Sequence, residues 1–130
     1  MSEGRGRTAV ATDGAPAAVA SYSQAIKANG FVFCSGQVAL DPATGELLDG
    51  TVADETRRCL DNLTAVLVAA GSGWDRVVKV TAYLTDIGDY ADFNEVYAEY
   101  TGDEAPARAA FAVSALPKGA RVEVECIALG

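Results

Sequence analysis

Hydrophobic and polar residues follow two different periods along this chain, and the shorter period predicts strands near the amino terminus. A short strand is predicted over residues 8–11. Residues 21–27 and the mostly apolar segment 31–38 then flank Asn29 and Gly30. Asn-Gly between two apolar runs is typical of a type I′ hairpin turn, because that turn needs positive φ at both central residues.

The return strand of this hairpin changes abruptly to small and polar residues at Ser35, Gly36 and Gln37. A glycine inside a strand marks either a β-bulge or a place where another backbone or a ligand approaches closely. The pattern alone favours a bulge or the end of the strand.

The longer period is helical and begins after Thr51. From residue 52 to residue 70 the apolar side chains recur every three or four positions. Thr51 and Asp54 have the spacing of a capping box, and Gly71 stands where helices commonly end. We predict an amphipathic helix over residues 52–70.

A strand and a second helix follow. Residues 77–84 alternate, and the residues predicted to share one face are Val78, Val80, Ala82 and Leu84. The second helix is predicted to begin at Asp86 or Asp89 and to end near Tyr100. Its buried stripe is predicted to consist of Phe93, Val96, Tyr97 and Tyr100. Asn94 lies off that stripe.

The last two strands contain a pair of residues that suggests chemistry. Arg108 follows Pro106 and opens an apolar run, and residues 121–128 alternate through Glu123. The residues predicted to share the face of Glu123 are Arg121, Glu125 and Ile127. Neighbouring strands would then present an arginine that grips a carboxylate and a glutamate that handles a proton or a water. The alternative is a solvated arginine and an outward-facing glutamate without a function.

The order of these elements predicts an α+β fold. One mixed six-stranded sheet would carry two helices on one face. Residues 1–14 would form a flexible tail and the short first strand, and residues 15–130 a single domain. Because apolar residues make up 50% of the chain, the uncovered face should also be apolar and should drive self-association.

Composition and charge reduce the number of functions that the chain can have. The formal net charge of −8 opposes binding to nucleic acid or to an anionic membrane. The absence of histidine removes every Ser-His or Cys-His nucleophile pair. The three cysteines (Cys34, Cys59 and Cys126) form no C-x-x-C motif, so we interpret them as reduced core residues of a cytoplasmic protein. No signal peptide or membrane-spanning segment is predicted.

Nine short segments, taken in their order and spacing, are similar to one known family. They are YSQA at 22–25, CSGQ at 34–37, DPATGE at 41–46, DNL at 61–63, VVKVTAYLTD at 77–86, DFNEVY at 92–97, PAR at 106–108, LPK at 116–118 and VEVECIA at 122–128. With them the chain resembles the Rid family, also called the YjgF family, of enamine/imine deaminases. The resemblance covers nearly all of the chain from Ala15 onward.

The resemblance implies a chorismate-mutase-like fold and a homotrimer whose sheets face inward as a barrel. It implies ligand sites in clefts between subunits, where 2-imino acids are hydrolysed to 2-keto acids and ammonia without a metal or an organic cofactor. By the same resemblance, Arg108 would bind the substrate carboxylate and Glu123 would position or activate the water. The residues that would line the cleft are Tyr22, Ser35, Asn94 and, through its backbone, Ala110.

This chain departs from the family at several of these positions, which bears on substrate preference. Ala110 replaces a frequent cysteine, Ala105 a common aromatic residue and Ser21 a usual proline. Three functions remain open: an imine deaminase, a non-catalytic or pathway-specific binder of small carboxylates or imines, and a ribonuclease. The acidic composition and the lack of histidine oppose the ribonuclease.

Overall fold

Six strands and two helices make up the chain that the computed structural model describes, residues 6–130. In chain order the elements are β1 (Thr8–Val10), β2 (Ala25–Ala28), β3 (Phe31–Gln37), α1 (Val52–Ala69), β4 (Val77–Leu84), α2 (Tyr90–Thr101), β5 (Ala107–Ala112) and β6 (Val122–Leu129). The strands form one sheet in the order β1-β2-β3-β6-β4-β5, with β4 and β5 parallel and the other neighbours antiparallel. The α+β fold with a mixed six-stranded sheet is confirmed. Part of the predicted tail, residues 1–5, lies outside the described residues.

Local sequence signals account for the first turn and for both ends of α1. Asn29 and Gly30 adopt φ angles of 51° and 79°, as a type I′ turn requires. The Thr51 hydroxyl accepts a hydrogen bond from the backbone N–H of Asp54, and the Asp54 carboxylate accepts one from the backbone N–H of Thr51. This capping box satisfies two N–H groups at the helix start. Gly71 follows the last turn with a φ of 80°.

Both aspartates predicted for the start of α2 take part in it, in different ways. The Asp86 carboxylate accepts a hydrogen bond from the backbone N–H of Gly88 at 2.8 Å and so caps a short 3₁₀ turn, Ile87–Asp89. Asp89 then occupies the N-cap position of α2 without a side-chain hydrogen bond.

Both helices pack on one face of the sheet, called here the covered face. Its strand residues lose nearly all exposure and include Val32, Val80, Ala82, Leu84, Val122, Val124 and Ala128. Above them lie fully buried helix residues, including Leu60, Leu63, Leu67 and Phe93. Burying a side chain of this size contributes roughly 1.5–3 kcal/mol, so this layer is the main source of stability.

The opposite face, called here the open face, carries no helix within residues 6–130. Phe31, Phe33 and Phe111 lie there and remain 39%, 44% and 46% exposed. Tyr83 packs edge-on against Phe111, with ring centroids 5.3 Å apart, and donates a hydrogen bond to the Glu125 carboxylate. The exposed rings agree with the expectation that the uncovered face carries apolar residues, and self-association through this face stays a prediction.

Two details of the strand predictions are wrong. The ladder shifts register between Val77 and Lys79, so Val77 is buried and Val78, predicted to share the face of the buried Val80, is 39% exposed. Arg121 lies just before β6, and its guanidinium pairs with the buried Glu55 of α1. It therefore does not belong to the open face. A bulge and a buried ion pair override simple alternation in these places.

Candidate active site

Arg108 lies on the edge strand of the sheet but faces its covered side. It stands second in β5 and pairs in parallel register with Val80 of β4. Residues in register point to the same side of a sheet, and Val80 is fully buried beneath the helices. The Arg108 side chain therefore extends towards α2, where it is partly buried.

Two polar groups and three aromatic rings of α2 hold the guanidinium. Its Nη1 donates a hydrogen bond to the Asn94 Oδ1 at 2.7 Å, and its Nη2 donates one to the Tyr90 hydroxyl oxygen. The Cζ atom lies 5.4, 5.9 and 4.8 Å from the ring centroids of Tyr90, Phe93 and Tyr97. The spacing of these four residues brings them to one face of the helix. We call this group, with Arg108, the arginine half-site.

Every partner of Arg108 in the arginine half-site is neutral. The described ion pairs involve Arg57 and Arg121, and across residues 6–130 no carboxylate lies within the 4.0 Å that defines an ion pair with Arg108. Burial raises the pKa of the Tyr97 hydroxyl to about 12, so this neighbour also stays neutral. Two of the five guanidinium N–H groups are engaged, and the others can bind a carboxylate.

Glu123 belongs to a different part of the molecule, on the open face of β6. Its carboxylate lies directly against Gly36, where a Cβ atom would stand 2.2 Å from the Glu123 Oε2. The register also shifts between Cys34 and Gln37. Gly36 thus lies at the irregularity that the pattern favoured, and the group that approaches it closely is the Glu123 side chain, not a backbone or a ligand.

Ser35 holds the segment that follows Tyr22 by two hydrogen bonds. The Ser35 hydroxyl donates to the Ser23 carbonyl at 2.6 Å, and the Ser35 backbone N–H donates to the Gln24 carbonyl at 3.0 Å. Tyr22 is 49% exposed. A cavity of about 300 Å³ is lined by Tyr22 and Gly36 among others. Tyr22, Ser35, Gly36 and Glu123 form what we call the glutamate half-site.

The environment of Glu123 favours its protonated form. Burial raises the pKa of Glu123 above its ordinary value, and the negative charge of the neighbouring Glu125 carboxylate raises it further. A carboxyl group whose pKa is raised in this way can both accept and return a proton closer to neutral pH. The glutamate half-site can therefore perform proton transfer, whereas the arginine half-site can bind an anion.

The two half-sites do not meet within one chain, which corrects the prediction that Arg108 and Glu123 stand on neighbouring strands. β4 lies between β5 and β6. Glu123 is in register with Tyr83 on the open face, while Arg108 is in register with Val80 on the covered face. Asn94 and Ala110 accompany Arg108, with Ala110 two residues further along β5.

Sequence reasoning missed Tyr90 and Gly36 as parts of the site. Tyr90 stands four residues before Asn94, a spacing that places both on one helix face, but nothing local showed that this face meets Arg108. Phe93 and Tyr97 were predicted as core residues, and they are buried. Their rings also form one wall around the guanidinium.

Other kinds of site are not evident in residues 6–130. The described residues contain no group of three His, Cys, Asp or Glu side chains placed to hold a metal ion. Neither helix is long and apolar enough to cross a bilayer. Cys34, Cys59 and Cys126 are buried free thiols, and burial strongly raises the pKa of Cys59, as expected for an inert core cysteine.

Known proteins are similar to this chain in sequence and in fold over nearly its whole length. The family described as Endoribonuclease L-PSP matches residues 12–130. A RutC family protein of Pyrococcus horikoshii is 51% identical over 90% of this chain and 93% of its own. A 2-iminobutanoate/2-iminopropanoate deaminase of Rattus norvegicus is 46% identical over 95% of this chain and 90% of its own. The crystal structure of RidA from an Antarctic Psychrobacter matches with a TM-score of 0.91 at 43% identity, covering 95% of this chain and 99% of that one. The chain therefore belongs to the Rid (YjgF) family, the same family that is described as Endoribonuclease L-PSP.

Proposed function

We propose that this protein is a cofactor-free hydrolase that converts small 2-imino acids, of the 2-iminobutanoate and 2-iminopropanoate type, to 2-keto acids and ammonia. The observation that carries the proposal is the partly buried Arg108 guanidinium, which has only neutral partners and free N–H groups. Such a group fits a small carboxylate. The rat relative is named for this deaminase activity, and the identity of 46% extends across the sequence that contains both half-sites.

Imine hydrolysis requires only that the substrate is held in a fixed position and that one residue transfers protons. Arg108 holds the substrate carboxylate, which fixes the adjacent imine carbon in the cleft. A water adds to that carbon as Glu123 takes a proton from the water. Glu123 then returns that proton to the nitrogen. As the C–N bond breaks and the C=O bond forms, Glu123 takes the proton of the new hydroxyl group and passes it to the departing ammonia, so that the keto acid and ammonium leave. A protonated imine is already electrophilic, so neither a histidine nor a stronger nucleophile is needed.

The site is proposed to form between subunits of a homotrimer. Arg108 and Glu123 lie on opposite faces of one sheet, so a single chain cannot bring them to one substrate. The apolar open face, with Phe31 and Phe33, offers the surface for self-association. The assembly would have about three times the chain mass of 13.4 kDa, and its free thiols suit the reducing cytoplasm.

Mixed assemblies give the sharpest test. Arg108→Ala and Glu123→Gln chains, each strongly impaired alone, are co-expressed with different tags, and assemblies carrying both tags are purified. If each site takes Arg108 from one subunit and Glu123 from the next, every trimer that carries both tags contains one native site among its three sites. Keto-acid release from enzymatically generated 2-iminobutanoate should therefore recover to about a third of the wild-type rate.

The contrary result is equally clear. If both residues served a site within one chain, no mixed site would contain both, and the mixture would stay inactive. Mass measurement on the same samples checks that each variant assembles. A monomeric wild-type protein would remove the shared site altogether.

The arginine half-site also supports a second candidate, a non-catalytic binder of small carboxylates, because Arg108, Asn94 and Tyr90 form an anion site without Glu123. In that case wild-type protein would bind 2-oxobutanoate and would not accelerate imine hydrolysis. The net charge of −8 disfavours a ribonuclease.

A further inference from the structure

The Tyr90 hydroxyl stands at the accessible end of the arginine half-site. Tyr90 is the first residue of α2 and is 37% exposed, in contrast with the buried Phe93 and Tyr97 behind it. Its oxygen accepts a hydrogen bond from the Arg108 Nη2. Any carboxylate that binds the remaining N–H groups of Arg108 must therefore come close to this oxygen.

The proton of that hydroxyl is unused. A phenol can accept and donate at the same time. Within residues 6–130 the Tyr90 oxygen accepts from Arg108, and no hydrogen bond that it donates is present. Accepting from a cation polarises the O–H group and makes it a better donor. By comparison, Tyr100, ten residues further along α2, donates its proton to the Asp61 carboxylate at 2.7 Å.

We propose that Tyr90 is a substrate-binding residue, whose hydroxyl donates a hydrogen bond to one oxygen of the carboxylate held by Arg108. The inference rests on the proposed function and adds a second donor to its anion site. Two donors of different geometry fix the plane of the carboxylate as well as its position. Tyr90 thereby favours ligands with a free carboxylate over those with a neutral group in its place.

Tyr90→Phe removes this donor and keeps the aromatic ring over Arg108. Tyr100→Phe is the matched control, because it removes one hydroxyl from the same helix at a place remote from Arg108. Two quantities are measured for wild type and both variants: the steady-state constants for 2-iminobutanoate, and the calorimetric Kd for 2-oxobutanoate, a stable carboxylate with the same chain.

A hydrogen bond to a charged group that is lost uniformly from ground and transition states raises KM without changing kcat. We expect Tyr90→Phe to raise KM and the Kd for 2-oxobutanoate by about tenfold each, at nearly unchanged kcat. Tyr100→Phe should change neither constant.

Unchanged constants in Tyr90→Phe would overturn the inference, and a lower KM would also do so, because it would show that the hydroxyl competes with the substrate. A wild-type protein that binds 2-oxobutanoate without hydrolysing the imine would overturn the proposed deaminase alone. The Kd of Tyr90→Phe would then still decide the role of the hydroxyl. A wild-type protein that neither binds nor hydrolyses would overturn both.

Discussion

The arginine and glutamate half-sites are built in opposite ways. The side chains of α2 surround Arg108, which lies at the sheet edge under a helix, and its partners come from one helix face. Glu123 is held instead by backbone, because it rests on Gly36 at a bulge on the side without helices. Side chains thus shape the proposed anion site, and strand geometry shapes the proposed proton-transfer site.

This difference shows what each half-site can tolerate. A binding group enclosed by side chains can be tuned by single substitutions, as with Tyr90, while its strand stays in place. A carboxylate fitted against bare backbone leaves no room for even one methyl group. Substitutions of Arg108, Gly36 and Glu123 test these expectations for the two half-sites.

The largest effect is expected at Arg108. Arg108→Ala removes the fork that binds the carboxylate, and charge-assisted pairs of this kind are worth enough to lower kcat/KM by about a hundredfold or more. Coupled keto-acid release and mass measurement check activity and assembly together. Arg57→Ala, which breaks an exposed pair with Glu99 on the helix surface, is the control and should retain full activity. Equal turnover in both variants would refute the anion site.

A smaller effect is expected at Gly36. Gly36→Ala places a methyl group where the Glu123 carboxylate lies, so the carboxylate must move and kcat should fall by roughly tenfold. In the Glu123→Gln background the same Gly36→Ala substitution should lower kcat by a clearly smaller factor, because the side chain that it displaces no longer transfers protons. This double-mutant cycle isolates the contact. Additive losses would mean that Gly36 acts independently of Glu123.

The smallest effect concerns stability and pH. The folded-state pKa of Glu123 lies above its ordinary value of 4.5, so the folded protein retains this proton as pH rises while the unfolded chain loses it. The contribution of Glu123 to stability is therefore present below pH 4.5 and is lost as pH rises through its folded pKa. Urea unfolding at fixed protein concentration should show Glu123→Gln lacking this loss of stability. An identical pH dependence in wild type and variant would contradict the raised pKa.

Short-range signals predicted much of the fold. The hairpin turn at Asn29 and Gly30, the capping box from Thr51 and the end of α1 at Gly71 all depend on residues within four positions of one another. Such features follow from backbone preferences and local hydrogen bonds. The insertion of β6 between β3 and β4 depends instead on distant segments, and alternation along one strand carries no information about it.

The site residues also divide into those that sequence signals identify and those whose contacts only the folded structure reveals. Alternation in β6 showed that Glu123 and Glu125 share a face, but it could not show that β4 separates them from Arg108. The motif resemblance selected Arg108, Asn94 and Glu123 without placing them on the covered or the open face. The Tyr90 contact joins residues 18 positions apart through the packing of α2 on β5, so only the folded structure reveals it.

The position of β5 at the end of the sheet has a consequence for the lifetime of a lone subunit. Its outer edge has no neighbouring strand in the described chain, and Arg108 is the single charge in Ala107–Ala112. An unpaired, weakly charged edge is a template for pairing with another chain. A subunit released from the proposed homotrimer would expose this edge together with Phe111. If the homotrimer forms, substitutions that weaken it should therefore lead to precipitation before inactive monomers accumulate.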